Sequence, residues 1–436
     1  MKQQTKDIPK GYKMTELGPL PGEWEVASLS SVVIKAKQSN PKKRPDWHFK
    51  YIDVSSVNRD NLRIEETRDY IGEKAPSRAR KKIKAGDVLF ATVRPYLKRL
   101  SIVPESLDGQ ICSTAFCVIR ANRQLADPSY LFYATADNRF VDRISEKQRG
   151  SSYPAVTDKN VLNEDIALPP LPEQKKIASV LSAVQQAKEK TEGAIAALRV
   201  LKKSLMKHLF TYGPVPVDEA ENVELKETEI GEIPAEWELS TLGSEGEFKY
   251  GYTTSATDKK TGTKFLRITD IRDDGRVNWN SVPFAEVDGN NINKYILGQG
   301  DILFARIGAT TGKTCIISND RPEAVFASYL IRLRVGSRLD SQYTFYYTGT
   351  ERYWKMVEAG KEGKLKKGLN SHQLKGFSVP VPSTAEQTDI AKMLSAVDTK
   401  LDTLENEKLA LDDLFRTLLH DLMTAKIRVN EAEVPV

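Results

Sequence analysis

Two stretches of the chain carry apolar residues in alternating steps of four and three. From Ile177 the steps fall on Ile177, Leu181, Val184, Lys188, Thr191, Ile195, Leu198, Lys202, Leu205 and Leu209, seven of the ten apolar. From Ile390 they fall on Ile390, Leu394, Val397, Leu401, Leu404, Lys408, Leu411, Phe415, Leu418 and Leu422, nine of the ten apolar. This spacing predicts narrow coiled-coil seams rather than the wider stripe of a helix lying on a core. Prolines 169, 170 and 172, and 380 and 382, stand just ahead of the two runs and set the helix starts. At 1.5 Å per residue each helix would be roughly 57 Å long, too long for one small domain, so the seams are expected to bury each other. Ahead of the first run lie short β-rich segments at 87–93 and 112–119, and ahead of the second at 302–307 and 329–335, separated by Gly, Pro and Asn turns.

The pattern occurs twice because the chain does. Thr15-Glu16-Leu17-Gly18-Pro19-Leu20-Pro21-Gly22-Glu23-Trp24-Glu25 returns as Thr228-Glu229-Ile230-Gly231-Glu232-Ile233-Pro234-Ala235-Glu236-Trp237-Glu238, 213 positions later. Gly86-Asp87-Val88-Leu89-Phe90-Ala91 returns 214 positions later as Gly300-Asp301-Ile302-Leu303-Phe304-Ala305, and Glu173-Gln174 opens the same motif as Glu386-Gln387. A nearly constant offset over such a distance marks an internal duplication. The expected fold is α+β: two repeated β-rich domains separated by two long helices that form an antiparallel coiled coil. The expected layout is a first head at 1–165, a helix at 166–212, an acidic linker with the opening of the second repeat at 213–238, a second head at 239–378 and a helix at 379–436.

Charge sharpens the picture. The 436 residues carry a formal net charge of +6, but residues 31–99 hold 18 Lys/Arg against 8 Asp/Glu, while residues 213–238 hold nine acids against Lys226. A basic block interleaved with aromatics suggests a polyanion surface, nucleic acid first among them. No run approaches the apolar length of a membrane span and the first residues lack a signal-peptide core, so a cytoplasmic location is expected. Cys112, Cys117 and Cys315 with four scattered histidines offer no metal spacing; the cysteines read as buried structural thiols, with 112 and 117 on one strand.

The T-E-[LI]-G-x-[LI]-P-x-E-W-E openings, the G-D-[VI]-L-F-A segments and the P-x-x-E-Q-x-x-I-A-x-x-L-S-A-V helix starts resemble the specificity subunits of type I restriction-modification enzymes over nearly the whole chain. That resemblance implies a non-catalytic subunit whose two target-recognition domains each read half of a bipartite DNA site. It further implies helices that set the spacer and dock two methyltransferase subunits, with restriction and translocase subunits joining them. S-adenosylmethionine, and ATP with Mg, would belong to those partners, and this chain would need no cofactor of its own. The residues by themselves also allow a coiled-coil protein that bridges or scaffolds DNA without reading its sequence.

Fragments that imitate catalysis fall short. Gly308-Ala309-Thr310-Thr311-Gly312-Lys313-Thr314 has three residues between its glycines where a phosphate-cradling loop has four, and is read as a turn after a strand. Asp127-Pro128-Ser129-Tyr130 and Asp340-Ser341-Gln342-Tyr343 read as helix N-caps rather than methyltransferase signatures. No catalytic or metal-binding residue is expected. The DNA-contact candidates are Lys42, Lys43, Arg44, Arg78, Arg80, Lys81, Lys82, Arg94, Tyr96, Lys98, Arg99, Ser152 and Tyr153 in the first head. In the second they are Lys259, Lys260, Lys264, Arg306, Lys313, Lys364, Lys366 and Lys367. Trp24 and Trp237 are assigned to the core.

Overall fold

The computed structural model describes residues 8–260, 262–286, 292–361 and 368–429. The chain divides into two compact units, residues 1–193 with 405–436, and residues 194–404. Each unit therefore takes a head, the first part of one long helix and the last part of the other.

In the first unit the opening forms a hairpin, Tyr12–Thr15 against Gly18–Pro21. Its turn explains the T-E-[LI]-G motif: Thr15 Oγ1 donates to the Gly18 carbonyl at 2.6 Å, and Gly18 sits at φ +102°, where a side chain is disfavoured. Strand Glu25–Ser28 then pairs antiparallel with Asp165–Leu168, which leads into the long helix Leu171–Tyr212. Two four-stranded sheets follow. One runs in the order Leu100–Ile102, Val88–Ala91, Phe116–Ala121, Val33–Ile34 and packs under helices Pro128–Ala136 and Asn138–Glu146. The other runs Arg68–Ile71, His48–Ile52, Ile111–Ser113, Ala79–Lys82 and contains one parallel pair.

The second unit repeats this plan with Glu238–Thr241 on Ser378–Val381, a sheet ordered Gly246–Tyr250, Leu330–Val335, Ile302–Ala305, Thr314–Ile316, and helices Ser341–Tyr347 and Glu351–Lys361. Lys264–Leu266 runs parallel to Ala324–Phe326, as His48–Ile52 does to Ile111–Ser113.

The repeated motifs are the joints between head and helix. Trp24 is fully buried and its indole N–H donates to Glu173 at 2.9 Å; Trp237 makes the same bond to Glu386 at 2.9 Å. The neighbouring glutamine fixes the head helix. Gln174 Oε1 accepts from the Asp127 amide at 2.9 Å and Gln387 Oε1 from the Asp340 amide at 2.7 Å, while both side-chain amides donate to local carbonyls. Asp127 and Asp340 cap the helices that follow, accepting from Tyr130 and Tyr343 amides at 3.0 and 2.8 Å. In the G-D-[VI]-L-F-A segments, Asp87 takes two bonds from Arg120 and Asp301 two from Arg334.

One expected element is divided. Residues 112–119 form two strands, because the chain turns at Thr114 and Ala115 and crosses from one sheet to the other. Cys112 and Cys117 consequently serve separate cores, and the turn is closed by the Ala115 amide on Ser113 Oγ at 3.2 Å. All three cysteines are buried; burial pushes the Cys117 and Cys315 thiols up to about 12 and Cys112 further still.

The long helices are Leu171–Tyr212, 42 residues, and Thr384–Met423, 40 residues. Every apolar seam residue named above is buried or half-buried. The polar seam positions are answered by acids. In the first unit Lys188 pairs with Asp412, Thr191 Oγ1 donates to Glu407 at 3.3 Å, and Lys408 meets Glu192 at 2.9 Å. From 188 to 191 and 192 the partner moves back from 412 to 407 and 408, so these two segments pass in opposite directions. In the second unit Lys202 reaches Asp398 at 2.5 Å and lies 5.4 Å over the Tyr346 ring, whose hydroxyl donates to the same carboxylate.

Each helix is also clipped by its own head. Arg63 bonds Glu189, and Arg276, 213 positions on, bonds Asp402. In the first unit Arg428 reaches both Glu173, at 2.7 Å, and Glu23, at 2.6 Å, and Tyr12 Oη donates to the Ala425 carbonyl at 2.6 Å. The first helix ends at Gly213 with φ +83°, a left-handed stop that glycine adopts readily.

Candidate DNA interface

Lys42 and Lys43 are exposed in the turn Pro41–Lys43, whose proline is buried, with Arg44 beside them, its guanidinium 5.8 Å over the Trp47 ring. Arg78 and Lys82 are exposed at the ends of strand Ala79–Lys82, and Arg80 is half-buried with its Nε donating to the Ser77 carbonyl at 3.0 Å. In the second unit Lys259 and Lys260 are exposed. These side chains keep most of their donors facing water, as phosphate contacts require. Lys364, Lys366 and Lys367 lie outside the described residues.

Four candidates are engaged by partners within the chain. Lys81 is buried, and its ammonium group donates to the Phe116 carbonyl at 2.6 Å and pairs with Asp158; an interior cation in that position holds the two sheets and the helix Asp158–Leu162 together. Arg99 donates from Nη1 to the Val54 and Val57 carbonyls at 3.1 and 2.7 Å. Lys264 donates to the Val282 carbonyl at 2.6 Å with its charge 4.2 Å over the Phe284 ring. Lys313 bonds the Ile271 carbonyl at 2.9 Å and Asp273 at 2.8 Å. Alternation places a side chain on a face but does not reveal a carbonyl waiting there, so sequence could not separate these from free cations.

The glycine-rich segment before Lys313 is a turn between antiparallel strands Ile302–Ala305 and Thr314–Ile316, tied by the Gly312 amide on the Ala305 carbonyl at 2.8 Å. It opens no helix, so it lacks the converging amides of a phosphate loop. Among the described residues no group of three or more His, Cys, Asp and Glu is placed to hold a metal, and no helix is long and apolar enough to cross a membrane.

The remaining candidates gather at one place in each head: the turn after the central strand, beside the loop that precedes the last short helix. In the first head that turn spans Arg94 to Lys98, and both end residues are left-handed, at φ +50° and +49°. Non-glycine residues seldom hold this conformation, at a cost on the order of 1–2 kcal/mol each, and sites that do often serve a function. Val93 bridges to Ala155, and Arg94 Nη2 donates to the Ser152 carbonyl at 3.2 Å. This brings the Arg94 guanidinium 5.1 Å over the ring of Tyr153, which is 74% exposed, with Tyr96 exposed nearby along the same turn. Lys98 bonds Asn138, and burial lowers its pKa below the ordinary lysine value.

In the second head Ile307 bridges to Gly368 in the same manner, and Arg306 lies 5.1 Å over the Tyr250 ring. Arg306 Nε is buried with no hydrogen-bond partner among the described residues. Burial would raise the Tyr250 pKa, but the hydrogen bond from Ser371 and the Arg306 charge bring it below its ordinary value. Tyr250 was absent from the sequence candidates because it ends an edge strand 56 residues before Arg306; only the sheet unites them.

The model of the type I restriction modification DNA specificity domain matches this chain twice, at residues 21–199 and 234–411. A putative type I restriction enzyme MjaX specificity subunit of Methanocaldococcus jannaschii is 26% identical, over 96% of this chain and 97% of that protein. The MjaVIII specificity subunit of the same organism is 28% identical over 73% of this chain and 75% of its own length. A solved chain described under the structural basis of complex assembly and conformational transition of the type I R-M system is 26% identical, with a TM-score of 0.57, covering 94% of this chain and 99% of that one.

Proposed function

From the premise that this chain belongs to the type I restriction-modification DNA specificity family, we propose that its two heads are target-recognition domains, each reading one half of a bipartite DNA site. The chain is the specificity subunit of such a complex and is not catalytic by itself. The observation that carries the division into two readers is the duplicated joint. Trp24–Glu173 and Asp127–Gln174 in one unit recur as Trp237–Glu386 and Asp340–Gln387 in the other, so each head is fastened to its long helix by the same bonds. Around that constant frame the exposed loops differ, as two readers of unlike half-sites require.

The long helices act as an antiparallel coiled-coil spacer that fixes the gap between half-sites, and they dock two methyltransferase subunits. The opposed ion pairs of the first unit and the buried seams support this reading. S-adenosylmethionine and ATP with Mg are the business of those subunits and of the restriction subunits, in a cytoplasmic complex.

The deciding experiment is to sequence the modified adenines in cells that carry the complex. Methylation confined to a two-part sequence with a constant gap is expected. Methylation at one continuous sequence, or binding that random duplex competes away as well as any selected site, would overturn the proposal.

A further inference from the structure

Deepening the proposed function, and resting on it, we propose that Arg94 with Tyr153, and Arg306 with Tyr250, are the base-reading pairs of the two heads. Each guanidinium reads a guanine edge in its own half-site.

The two pairs are made from different residues at one structural place. The 214-residue offset makes Thr92 the counterpart of Arg306 and Gly308 the counterpart of Arg94. Thr92 is buried and its hydroxyl donates to the Ala115 carbonyl at 2.9 Å, so the first head places its arginine two residues farther along the turn. The tyrosines also come from unrelated segments: Tyr153 from the loop before the last short helix, Tyr250 from the end of an edge strand. Yet both rings lie 5.1 Å beneath a guanidinium, and both turns are bridged to the same neighbouring loop. The frame has been kept while the reading group moved.

The chemistry suits a base edge better than a phosphate. A guanidinium offers five donors in a rigid plane. Arg94 spends one on the Ser152 carbonyl, and Arg306 has only a long, 3.5 Å contact with the Ser328 carbonyl. Neither forms an ion pair among the described residues, in contrast to Arg120 and Arg334, which are held by buried aspartates. The aromatic ring fixes the plane of each fork, and a fork fixed in this way presents two parallel N–H groups to guanine O6 and N7. The exposed lysines, flexible and single-pointed, suit the phosphates.

The test selects random-sequence duplexes on the full-length chain and on its R94K, R94A, R306K and R306A variants. Each guanine of the enriched duplex is then replaced in turn by 7-deazaguanine, which removes one acceptor. The wild-type protein is expected to lose about 5- to 150-fold at one guanine in each half. R94K and R94A should abolish the penalty in one half only, and R306K and R306A in the other half only. A variant that folds poorly binds less without changing the pattern, and the wild-type 7-deazaguanine scan stands without any variant. Penalties that persist in the arginine variants, or variants that weaken all sequences equally, overturn the pairing while leaving the bipartite reading intact. Enrichment of no two-part sequence by the wild-type protein overturns the proposed function and this inference with it.

Discussion

At the scale of single residues, the interior cations separate structure from recognition. Lys81 is nearly inaccessible and holds a carbonyl and a carboxylate, so Lys81→Ala should leave Asp158 and the Phe116 carbonyl short of a partner. A loss of about 2–3 kcal/mol in unfolding free energy is expected, measurable by urea titration, with little change in DNA affinity beyond it. Asp87→Ala, which strips the Arg120 guanidinium of its buried partner, should cost about 3 kcal/mol and lower the melting temperature by roughly 6–12 °C. Lys42 and Arg78 belong to the opposite class: replacing either with Ala should leave the melting temperature unchanged and flatten the dependence of DNA binding on salt. None of this sorting was legible in the chain, because charge and spacing are alike in both classes. What the sequence did disclose was the N-cap role of Asp127 and Asp340 and the core role of Trp24 and Trp237, since those depend on local geometry and bulk. The arginines that hold Asp87 and Asp301 escaped notice, although an equal spacing of 33 residues in both repeats, Asp87 to Arg120 and Asp301 to Arg334, was the available signal.

At the scale of elements, the helices were the most readable feature and their polar interruptions the least. The alternating four and three steps from Ile177 and Ile390 mark residues that are all buried or half-buried, while Lys188, Thr191, Lys202 and Lys408 looked like flaws in the seam. They are instead matched to acids, and a charged pair in a hydrophobic seam tends to fix register at some expense of stability. Lys188→Ala alone should therefore destabilise by about 1–3 kcal/mol, whereas Lys188→Met together with Asp412→Leu should be near neutral or stabilising. A double-mutant cycle by thermal unfolding measures the difference. The strand elements were less legible. Residues 112–119 read as one strand, yet the chain changes sheets inside them, and the short polar pair Ser113-Thr114 at the turn was the only signal of the crossing.

At the scale of the whole molecule, the proposed spacer makes a geometric prediction. Four residues inserted between Gly193 and Arg199 would lengthen the first helix by about 6 Å and turn the segments on either side against each other by about 40° beyond one full turn. The preferred gap between methylated half-sites should change, and sequencing of modified adenines reads it directly; an unchanged gap would remove the helices from the role of spacer. The division into two repeats was plain from the offsets of 213 and 214, but the composition of each unit was not. Linear order suggests a head followed by its own helix, and nothing in a hydrophobic period says which end of which helix a core will recruit.

The core of the first unit includes Phe415, Leu422, Met423, Ala425 and Val429, and Arg428 grips Glu23 and Glu173 from the far end of the chain. During synthesis, then, the first head to leave the ribosome cannot close its interior until residues 415–429 have followed the whole of the second unit. A chain cut just ahead of Phe415 would keep the whole of the second unit and yet leave the first gaping, a polarity opposite to what the position of the lesion would suggest.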